Sequence, residues 1–561
     1  MLFKSQERIS CDVLVIGGGG AGLRSAIAAR LSDADVILVS KSRIGYSTNT
    51  YISKSVIAAT GWGIAEDDQN VHVADTVKAG RFLNDQLMVV KVAEKAGSEV
   101  AFLRECGVRF GMEDGRLRIL KIPGHSYPRH VHGENWVGSD LVFPLKRRAK
   151  QLGVRFVEKV FVTRLLASDG RITGATGVTA DARFLTIQAN AVVLATGGYA
   201  QIFLNTNNAP GITGDGQALA YQLGISLKDM EFVQFYPTAI GTRGSRILLY
   251  ERILGQKGVA LKNGDGEDII RSRGIPDPMS MTRDQLAQII MQEIKGGRSV
   301  KQGVILDLES LSGETAEQLK ELLPPQWWKG HKTFVVAPTA HFCMGGIVTD
   351  QRGETSLSGL FGAGEITAGV HGANRLGGNA LAEIFAMGSL VGEEAAKRAM
   401  EHGATVSSHD QTEDEISRLE GIISGQRLGP KHLIKELKEL MWHKAGVIRQ
   451  GNELEEALRR IRGPWPRPTI ESPTDLIRLL EFHNMRLVAE MVCRASLERT
   501  ESRGSHFRVD HPDEDDGHWL KNIMLRKGDS GMELETRPVS LDLIKPEQKS
   551  CGQGIQKVST Y

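Results

Sequence analysis

Residues 12–22 read DVLVIGGGGAG, an apolar run followed at once by a cluster of glycines. Residues 13–16 are mostly β-branched, which is typical of a buried parallel strand. The glycines of residues 17–22 have the spacing G-x-G-x-x-G, and residues 23–31 follow with the small-residue pattern of a helix. A second apolar run occupies residues 36–39. The order strand, glycine turn, helix, strand predicts a dinucleotide-binding unit with a pyrophosphate at the helix N-terminus.

The second apolar run ends at Ser40 and Lys41. Dinucleotide-binding units usually have an acidic residue here, which accepts a hydrogen bond from the ribose 2′-hydroxyl. A serine and a lysine do not fit that role, so the motif does not favour NAD. We expect the adenosine end of the nucleotide to be held by other residues.

A second glycine-rich stretch lies far along the chain, at residues 359–383, and reads GLFGAGEITAGVHGANRLGGNALAE. Closely spaced glycines let the backbone approach a ligand, because no Cβ atom intervenes. Arg375 lies among them, and its guanidinium offers a planar, permanently charged fork for a carboxylate or phosphate. The alternative is a loop followed by a helix of small residues.

The composition, with 63 glycines and 41% hydrophobic residues in 561, is that of a large α/β enzyme of about three or four folding units. A formal net charge of +2 argues against nucleic acid as the main partner. The cysteines contain no C-x-x-C motif, which argues against a cysteine-ligated iron–sulfur cluster of the usual spacing, and we expect no metal site in this chain. They are Cys11, Cys106, Cys343, Cys493 and Cys551.

The N-terminal residues MLFKSQERISCD lack the apolar core of a signal peptide. No run reaches about 18 apolar residues, so no membrane span is predicted. Scattered cysteines fit a reducing compartment. We therefore expect a cytoplasmic protein, either free or held peripherally at the inner face of the membrane through partner subunits.

The glycine-rich sequence occurs in two separate parts of the chain, which predicts a discontinuous nucleotide-binding domain. Residues 1–229 form its first part, and residues 346–400 its second part. Residues 230–345 are richer in charge and proline and are predicted to be an inserted second domain. Residues 413–530 are expected to be a helical C-terminal domain, and residues 531–561 a polar tail without clear periodicity. The fold class is therefore α/β, with a Rossmann-like domain at its centre.

Four further apolar runs before the inserted domain are predicted to be strands. Residues 160–166, 175–178 and 184–187 resemble a layer of hairpins, and residues 191–198 resemble another buried strand ending in Thr-Gly-Gly. Residues 211–224 are predicted to open another helix with small residues.

Seven motifs, in one order, resemble the flavoprotein subunit of succinate dehydrogenase and fumarate reductase. The wider family includes L-aspartate oxidase and the adenylylsulfate reductase flavoprotein. The motifs are VIGGGGAG (15–22), LATGG (194–198), TGDGQALAYQLG (213–224), MEFVQFYPT (230–238), HFCMGGI (341–347), GAGEITAGVHGANRLGGNALAE (362–383) and SRGSHFRVDHPDED (502–515). They span nearly the whole chain.

The resemblance implies FAD as cofactor, in a Rossmann-like FAD-binding domain with an inserted α+β capping domain over the flavin ring. It also implies a helical C-terminal domain. The residues assigned to the cofactor on this basis are Gly17, Gly19, Gly20, Gly22, Ser40, Lys41, Ser55, Thr196, Gly197, Asp215, Glu365, Asn379 and Leu381.

The resemblance also implies a reaction. Reduction of a C=C bond next to a carboxylate needs a hydride from the flavin, a cationic pocket for the carboxylate, and an acid that protonates the other carbon. Arg375 and His341 match the family residues that bind one carboxylate. Arg283, in the sequence Met-Thr-Arg-Asp, matches the proton donor. The alternatives are that His341 is a core histidine and that Arg283 only begins a helix.

Two positions depart from the family at the other end of the substrate. Tyr236 stands where the family has a histidine, and Tyr250 stands where it has a threonine. The hypothesis is an altered acid substrate, such as a monocarboxylate or a bulkier unsaturated acid. The alternative is a C4-dicarboxylate bound by the two tyrosine hydroxyls.

The proton relay of the family also changes. An arginine acts as an acid only if a relay reprotonates it, because its pKa normally lies above about 12. Glu251 of the Glu-x-x-Arg relay is present, but Leu254 occupies the arginine position. Arg252 and Arg246 are the candidates to replace it.

The histidine that binds flavin covalently in many relatives is replaced by Ser55, and no histidine lies between Val13 and Val71. We therefore expect noncovalent FAD. Because the covalent link raises the flavin potential in the family, its absence favours the reducing direction.

Lacking cluster cysteines, the chain is expected to exchange electrons with a separate iron–sulfur subunit while binding a small carboxylic acid. Three alternatives stay open: an L-aspartate oxidase-like enzyme, which needs no such partner, a non-catalytic flavin electron-transfer subunit, and an adenylylsulfate reductase-like enzyme. The retained Arg283 and His341 speak against the last.

Overall fold

The computed structural model describes residues 3–241, 248, 251–276, 278, 281–320, 323–403, 409–422 and 429–547, with backbone alone at 251, 252, 402 and 409. The strands, in chain order, are β1 (Ser5–Ile16), β2 (Val36–Ser40), β3 (Val56–Ala58), β4 (Met112–Glu113), β5 (Arg116–Leu117), β6 (His130–His132), β7 (Arg155–Glu158), β8 (Val160–Ser168), β9 (Arg171–Thr179), β10 (Arg183–Leu194), β11 (Leu227–Lys228), β12 (Val233–Ile240), β13 (Ala260–Lys262), β14 (Val304–Asp307), β15 (Thr333–Cys343), β16 (Gly346–Ile347), β17 (Leu360–Gly362), β18 (Lys521–Gly528) and β19 (Gly531–Pro538).

The α-helices are α1 (Gly20–Leu31), α2 (Asn49–Ile52), α3 (Gln69–Ala79), α4 (Gln86–Glu105), α5 (Ser139–Gln151), α6 (Asp215–Gln222), α7 (Glu251–Leu254), α8 (Arg283–Lys295), α9 (Gly313–Gln318), α10 (Pro325–Trp328), α11 (Asn379–His402), α12 (His409–Glu420), α13 (Pro430–Ala445), α14 (Gly451–Arg462), α15 (Pro473–Glu498) and α16 (Asp516–Trp519). Short 3₁₀-helices occupy Ala200–Ile202 and Arg271–Arg273.

The central sheet confirms the dinucleotide-binding arrangement. Its strand order is β7-β2-β1-β10-β9-β8, with β17 paired to β10. β1 runs parallel to β2 and β10, and β17 is also parallel to β10, whereas β9 is antiparallel to β10 and β8. Helices α1 and α11 pack against each other beside this sheet. The two glycine-rich stretches, distant in sequence, therefore meet.

One boundary in this sheet was wrong. Residues 184–187 and 191–198 were expected to be separate strands, but they belong to the single strand β10, which ends at Leu194. The polar residues Gln188 and Asn190 suggested a break. In the structure both are only partly buried, and β10 continues through them because its pairing with β1 keeps one register on both sides, with Cys11 opposite Ala189 and Val13 opposite Ala191.

The inserted segment builds its own sheet, in the order β12-β15-β14-β13. An apolar core lies behind it, and includes Leu261, Leu286, Leu306 and Val336. These elements fall within the range predicted for the capping domain. The first and last strands of this segment also pack onto the nucleotide-binding domain, since Val233 of β12 and Cys343 of β15 share an apolar cluster with Leu14 and Leu194 of the central sheet.

The C-terminal region contains the expected helices, α12 to α15, but also a hairpin that was missed. β18 and β19 pair with each other, and β18 pairs with β11. β18 buries Ile523 and Leu525, whereas β19 is a charged edge strand with no residue fully buried. In β19 only Met532 and Leu534 alternate with charged residues before Arg537 and Pro538, and this run is too short to have predicted a strand from the sequence.

Within the part of the chain that the structure describes, no helix is long and apolar enough to cross a membrane. The described residues likewise contain no cluster of histidine, cysteine and carboxylate side chains that could hold a metal ion. The four described cysteines are all buried and unpaired.

Candidate active site

A cavity of about 1170 Å³ extends from the β1–α1 glycine turn to the inserted segment. Most of the residues assigned to the site from sequence lie on its wall. They are Gly17, Gly19, Gly20, Ser40, Lys41, Thr196, Gly197, Asp215, Tyr236, Arg283, His341, Glu365, Arg375 and Leu381. The cofactor residues and the reaction residues therefore share one space.

Three assigned residues do not line the cavity. Gly22 lies where α1 touches the end of β1, and a Cβ atom there would overlap the carbonyl oxygen of Gly17. Ser55 is fully buried, and its hydroxyl donates to the Lys54 carbonyl at 2.7 Å. Asn379 turns its amide away from the cavity. Tyr250 and the side chain of Glu251 lie outside the described residues.

The Asn379 amide anchors the start of α11. Its Nδ2 donates to Thr76 Oγ1 at 2.9 Å, and His72 Nε2 lies 2.9 Å from its Oδ1. The amide orientation therefore makes His72 Nε2 the donor. Burial lowers the pKa of His72 to about 4, so the imidazole is neutral. Asn379 holds the helix that carries Leu381, rather than the ligand.

The glycine turn fits a bound pyrophosphate. Gly17 has φ +129°, a conformation that favours glycine, and brings β1 into contact with Ala195. A Cβ atom on Gly19 would have no neighbour nearer than Thr48 Cβ at 3.7 Å. Because Gly19 faces the cavity, its bare backbone leaves room for a phosphate at the N-terminus of α1.

The glycines therefore have separable roles. Gly22→Ala is expected to lower the free energy of unfolding by several kcal/mol, about the cost of a severe backbone overlap. Gly19→Ala is expected to keep its stability within about 1 kcal/mol but to bind FAD at least tenfold more weakly, because a methyl group enters the phosphate site. Thermal unfolding and FAD titration of both variants measure this. Wild-type FAD affinity in Gly19→Ala would contradict it.

Glu365 is a buried carboxyl group on the cavity wall. It accepts hydrogen bonds from the Cys343 backbone N–H at 3.1 Å and from Asn49 Nδ2 at 3.0 Å. Burial nevertheless raises its pKa from 4.5 to about 7. Glu365 is thus partly protonated near neutral pH, so it can accept or donate a hydrogen bond towards a ligand.

Glu365 should make stability depend on pH. Between pH 4.5 and about 7 the folded chain keeps a proton that the unfolded chain has released, so stability falls as the pH rises through this window. Glu365→Gln is expected to remove this loss, because glutamine does not titrate. The free energy of unfolding of the variant minus that of wild type should therefore rise by roughly 2–3 kcal/mol between about pH 5 and about pH 8. Urea unfolding of FAD-free protein measures it, with the exposed Glu498→Gln as control. If the difference in unfolding free energy between Glu365→Gln and wild type did not change with pH, the raised pKa of Glu365 would be contradicted.

The far end of the cavity is lined by a histidine and two arginines. The Tyr236 and His341 rings make an edge contact, with centroids 5.5 Å apart, and the Arg283 guanidinium lies 4.9 Å from the Tyr236 ring centroid. Arg375 is 7% exposed, and its guanidinium lies 4.7 Å from the Phe342 ring centroid. The sequence alternatives for Arg283 are not exclusive, since it begins α8 and also faces the cavity.

His341 is uncharged in this setting. Burial lowers its pKa well below 6.5, and the positive charges of Arg375 and Arg283 lower it further. The Asn207 amide lies within 3.2 Å of His341 Nδ1 and orients the ring. The positive charge for an anionic ligand is therefore supplied by the arginines.

A polar network fixes Arg375 against the inserted segment. Gln234, on β12, accepts from Arg375 Nη2 at 2.9 Å and donates to the Arg375 carbonyl at 2.9 Å. Gln234 also donates to Asn374 Oδ1 at 2.7 Å, and Asn374 Nδ2 donates to Asp284 Oδ1 at 2.8 Å. Because Asp284 follows Arg283 on α8, the network ties both arginines to one rigid frame.

The relay position is apolar. Leu254 is 6% exposed and packs in the apolar core of the inserted segment. It lies in α7, which begins at Glu251. Leu254 is therefore a core residue and does not replace the family arginine. Arg246 and the Arg252 side chain, the candidates to replace it, lie outside the described residues.

Sequence reasoning missed several residues that line the cavity or fix its side chains. Asn49 bridges Glu365 and Asn208, Gln234 fixes Arg375, and Glu481 enters from α15. Asn49 could have been found, because it lies in a polar run after β2. Gln234 could also have been noticed, because it lies within the motif MEFVQFYPT, whereas Glu481 carries no local signal, since only the packing of distant elements brings it to the site.

Two family models match the chain. The model described as "FAD binding domain" matches residues 12–381, more than half of the chain, and "Fumarate reductase flavoprotein C-term" matches residues 434–551. The chain belongs to the fumarate reductase and succinate dehydrogenase flavoprotein family. It is accordingly an FAD-dependent oxidoreductase, as the seven motifs implied.

Named relatives agree with this assignment. One subunit of the fumarate reductase (CoM/CoB) of Methanothermobacter marburgensis is 35% identical over 543 residues, covering 93% of this chain and 98% of its own. The fumarate reductase flavoprotein subunit of Mycobacterium tuberculosis is 32% identical, covering 97% of this chain and 99% of its own. The quinol fumarate reductase FrdA of E. coli has a TM-score of 0.88 at 29% identity, covering 97% of this chain and 99% of that chain.

Proposed function

We propose that this chain reduces the C=C bond of an unsaturated acid such as fumarate, within a complex that includes an iron–sulfur subunit. The observation that carries the proposal is the placement of Arg283, His341 and Arg375 on the wall of the cavity that also contains the glycine turn. When bound, FAD supplies the hydride. The residues of the chain supply binding, orientation and a proton.

Arg375 holds one substrate carboxylate through its charged fork, because Gln234 fixes the guanidinium in one orientation. His341 contributes a neutral imidazole, which hydrogen-bonds the same carboxylate without adding charge. A fixed cation beside the carboxylate stabilises the negative charge that develops on it as the C=C bond accepts hydride. The pair therefore both binds and polarises the substrate.

Arg283 donates the proton to the second carbon. It is the first residue of α8, so its side chain projects from a rigid helix end into the cavity. Guanidinium is a very weak acid, and the transfer is feasible because the carbon it protonates is far more basic. Glu251 is the residue proposed to return the proton.

Tyr236 replaces the histidine at the opposite end of the substrate and is 1% exposed. A phenol can donate one hydrogen bond to a carboxylate but carries no charge at neutral pH. The second end of the substrate is thus recognised more weakly than the first. Tyr236 is compatible with either an altered acid or a C4-dicarboxylate at this end of the cavity. Both kinds of substrate contain the carboxylate that Arg375 binds.

The relatives are named as subunits, and this chain lacks cysteines spaced for a cluster. We propose that a separate iron–sulfur subunit passes electrons to FAD, and that the complex works in the cytoplasm or at the inner face of the membrane. The replacement at Ser55 supports noncovalent FAD and the reducing direction.

Anaerobic steady-state assays with a reduced viologen dye test the proposal. We expect dye oxidation with fumarate or with one of a panel of substituted acrylates. In a separate aerobic assay, peroxide formed from L-aspartate and oxygen, together with no anaerobic reduction of any unsaturated acid, would instead identify an aspartate oxidase. Activity with neither class would identify a non-catalytic electron-transfer subunit.

A further inference from the structure

The end of β2 lacks the acidic residue that normally accepts a hydrogen bond from ribose. Lys41 stands there, and its ammonium group meets three side-chain acceptors: Asp215 Oδ2 at 2.5 Å, Thr213 Oγ1 at 2.7 Å and Glu481 Oε1 at 2.9 Å. An ammonium group has three protons to donate. Lys41 therefore uses all of its donors within the protein, and its task is to hold two carboxylates side by side.

The carboxylates of Asp215 and Glu481 differ in which of their oxygens already accept a hydrogen bond. Both oxygens of Asp215 already accept within the protein, because Oδ2 also accepts from Thr213 at 3.0 Å and Oδ1 accepts from Asn484 Nδ2 at 3.0 Å. Glu481 gives only Oε1 to Lys41, and among the described residues no hydrogen bond reaches its Oε2. Glu481 lines the cavity together with Ser40 and Lys41. The free acceptor at this end is thus on Glu481.

The position of Glu481 is fixed by the helix that carries it. The next residue, Phe482, is 1% exposed and makes an edge contact with Trp465 at 5.0 Å between ring centroids. α15 also packs on α6, which begins at Asp215. The Glu481 side chain is 19% exposed, so it is neither a core residue nor a freely moving surface group.

We propose that Glu481 accepts the hydrogen bond from the ribose 2′-hydroxyl of the adenosine half of FAD. A carboxylate is the acceptor that dinucleotide-binding folds use for this hydroxyl. Here it comes from the C-terminal helices, about 440 residues further along the chain than Lys41. Asp215 is then a positioning residue, which acts on the ribose only through Lys41.

The test is a comparison of two ligands in the full chain, FAD and its analogue with a 2′-deoxyadenosine. FAD is released from the holoenzyme, and each ligand is titrated back by following the quenching of flavin fluorescence. Wild type is expected to bind FAD about tenfold more tightly than the analogue, the value of one hydrogen bond to a charged acceptor. Glu481→Ala is expected to bind both ligands equally, each more weakly than wild type binds FAD.

Two further variants separate contact from support. Asp215→Asn is expected to lower the affinity for both ligands while keeping the tenfold difference between them, and Glu498→Ala, exposed at the end of the same helix, is expected to match wild type. A tenfold difference that persists in Glu481→Ala, or disappears in Asp215→Asn alone, would overturn the proposal. If Glu481→Ala does not fold, Glu481→Gln is used instead. An affinity ratio between FAD and its analogue as large as in wild type would then overturn the proposal equally.

Discussion

Arg283→Ala is expected to lower kcat for the reduction of the unsaturated acid by about a thousandfold, within the range for loss of a general acid. The variant retains the Arg375 fork and the glycine turn, so substrate and FAD still bind. The loss should appear in kcat with KM changed little, because the proton is transferred only in the transition state. Steady-state kinetics with a reduced dye, together with the FAD content of the variant, measure both quantities.

The matched control is Arg271→Ala, since the Arg271 side chain lies in the same inserted segment but is 81% exposed. This variant should keep wild-type kinetics. Arg283→Lys is informative as well, because lysine restores the charge but not the reach of the fork. Wild-type turnover in Arg283→Ala would remove Arg283 from the role of proton donor.

Arg375→Ala is expected to lower kcat/KM by about a thousandfold, or ~4 kcal/mol, the range measured when one partner of a buried charged pair is removed. Unlike the loss at Arg283, this loss should raise KM, because Arg375 binds the ground-state carboxylate as well as the transition state. Part of the effect should be restored by added guanidinium ion. The readouts are kcat and KM with and without that ion.

The matched control for this prediction is Arg352→Ala, whose exposed side chain pairs with Asp350 away from the cavity. Its kinetics should equal those of wild type. An unchanged KM in Arg375→Ala would show that the carboxylate binds elsewhere, and would also weaken the inference drawn from the second glycine-rich stretch.

The sequence predicted those parts of the fold that are encoded locally. The turn at residues 17–22 requires glycine for its conformation and for close packing, so its spacing alone predicts strand, turn and helix. The wall residues of the 359–383 stretch were found for the same reason. β10 was divided wrongly, because partly buried polar residues interrupted its apolar pattern. The strand nevertheless continues, since its pairing partner β1 is long enough to match it.

The residues that sequence could not provide act across long separations. Gln234 lies 141 positions from Arg375, and Glu481 lies 440 positions from Lys41. Gln234 lies within the motif MEFVQFYPT, but the motif does not show that it contacts Arg375, and Glu481 looks like an ordinary polar residue of a helix. Their roles arise from packing between domains, which no local pattern encodes. Leu254 is a different case. The sequence shows that it departs from the family relay, but only the structure shows that it is buried in an apolar core.

The most direct test of the account is anaerobic, single-turnover mixing of reduced holoenzyme with fumarate and with substituted acrylates. At least one acid is expected to restore the absorbance of oxidised flavin, with one equivalent of saturated acid formed per FAD. This step is expected to slow by about a thousandfold in Arg283→Ala, while FAD stays bound. Flavin that stays reduced with every acid, or that is reoxidised at the wild-type rate in Arg283→Ala, would contradict the account.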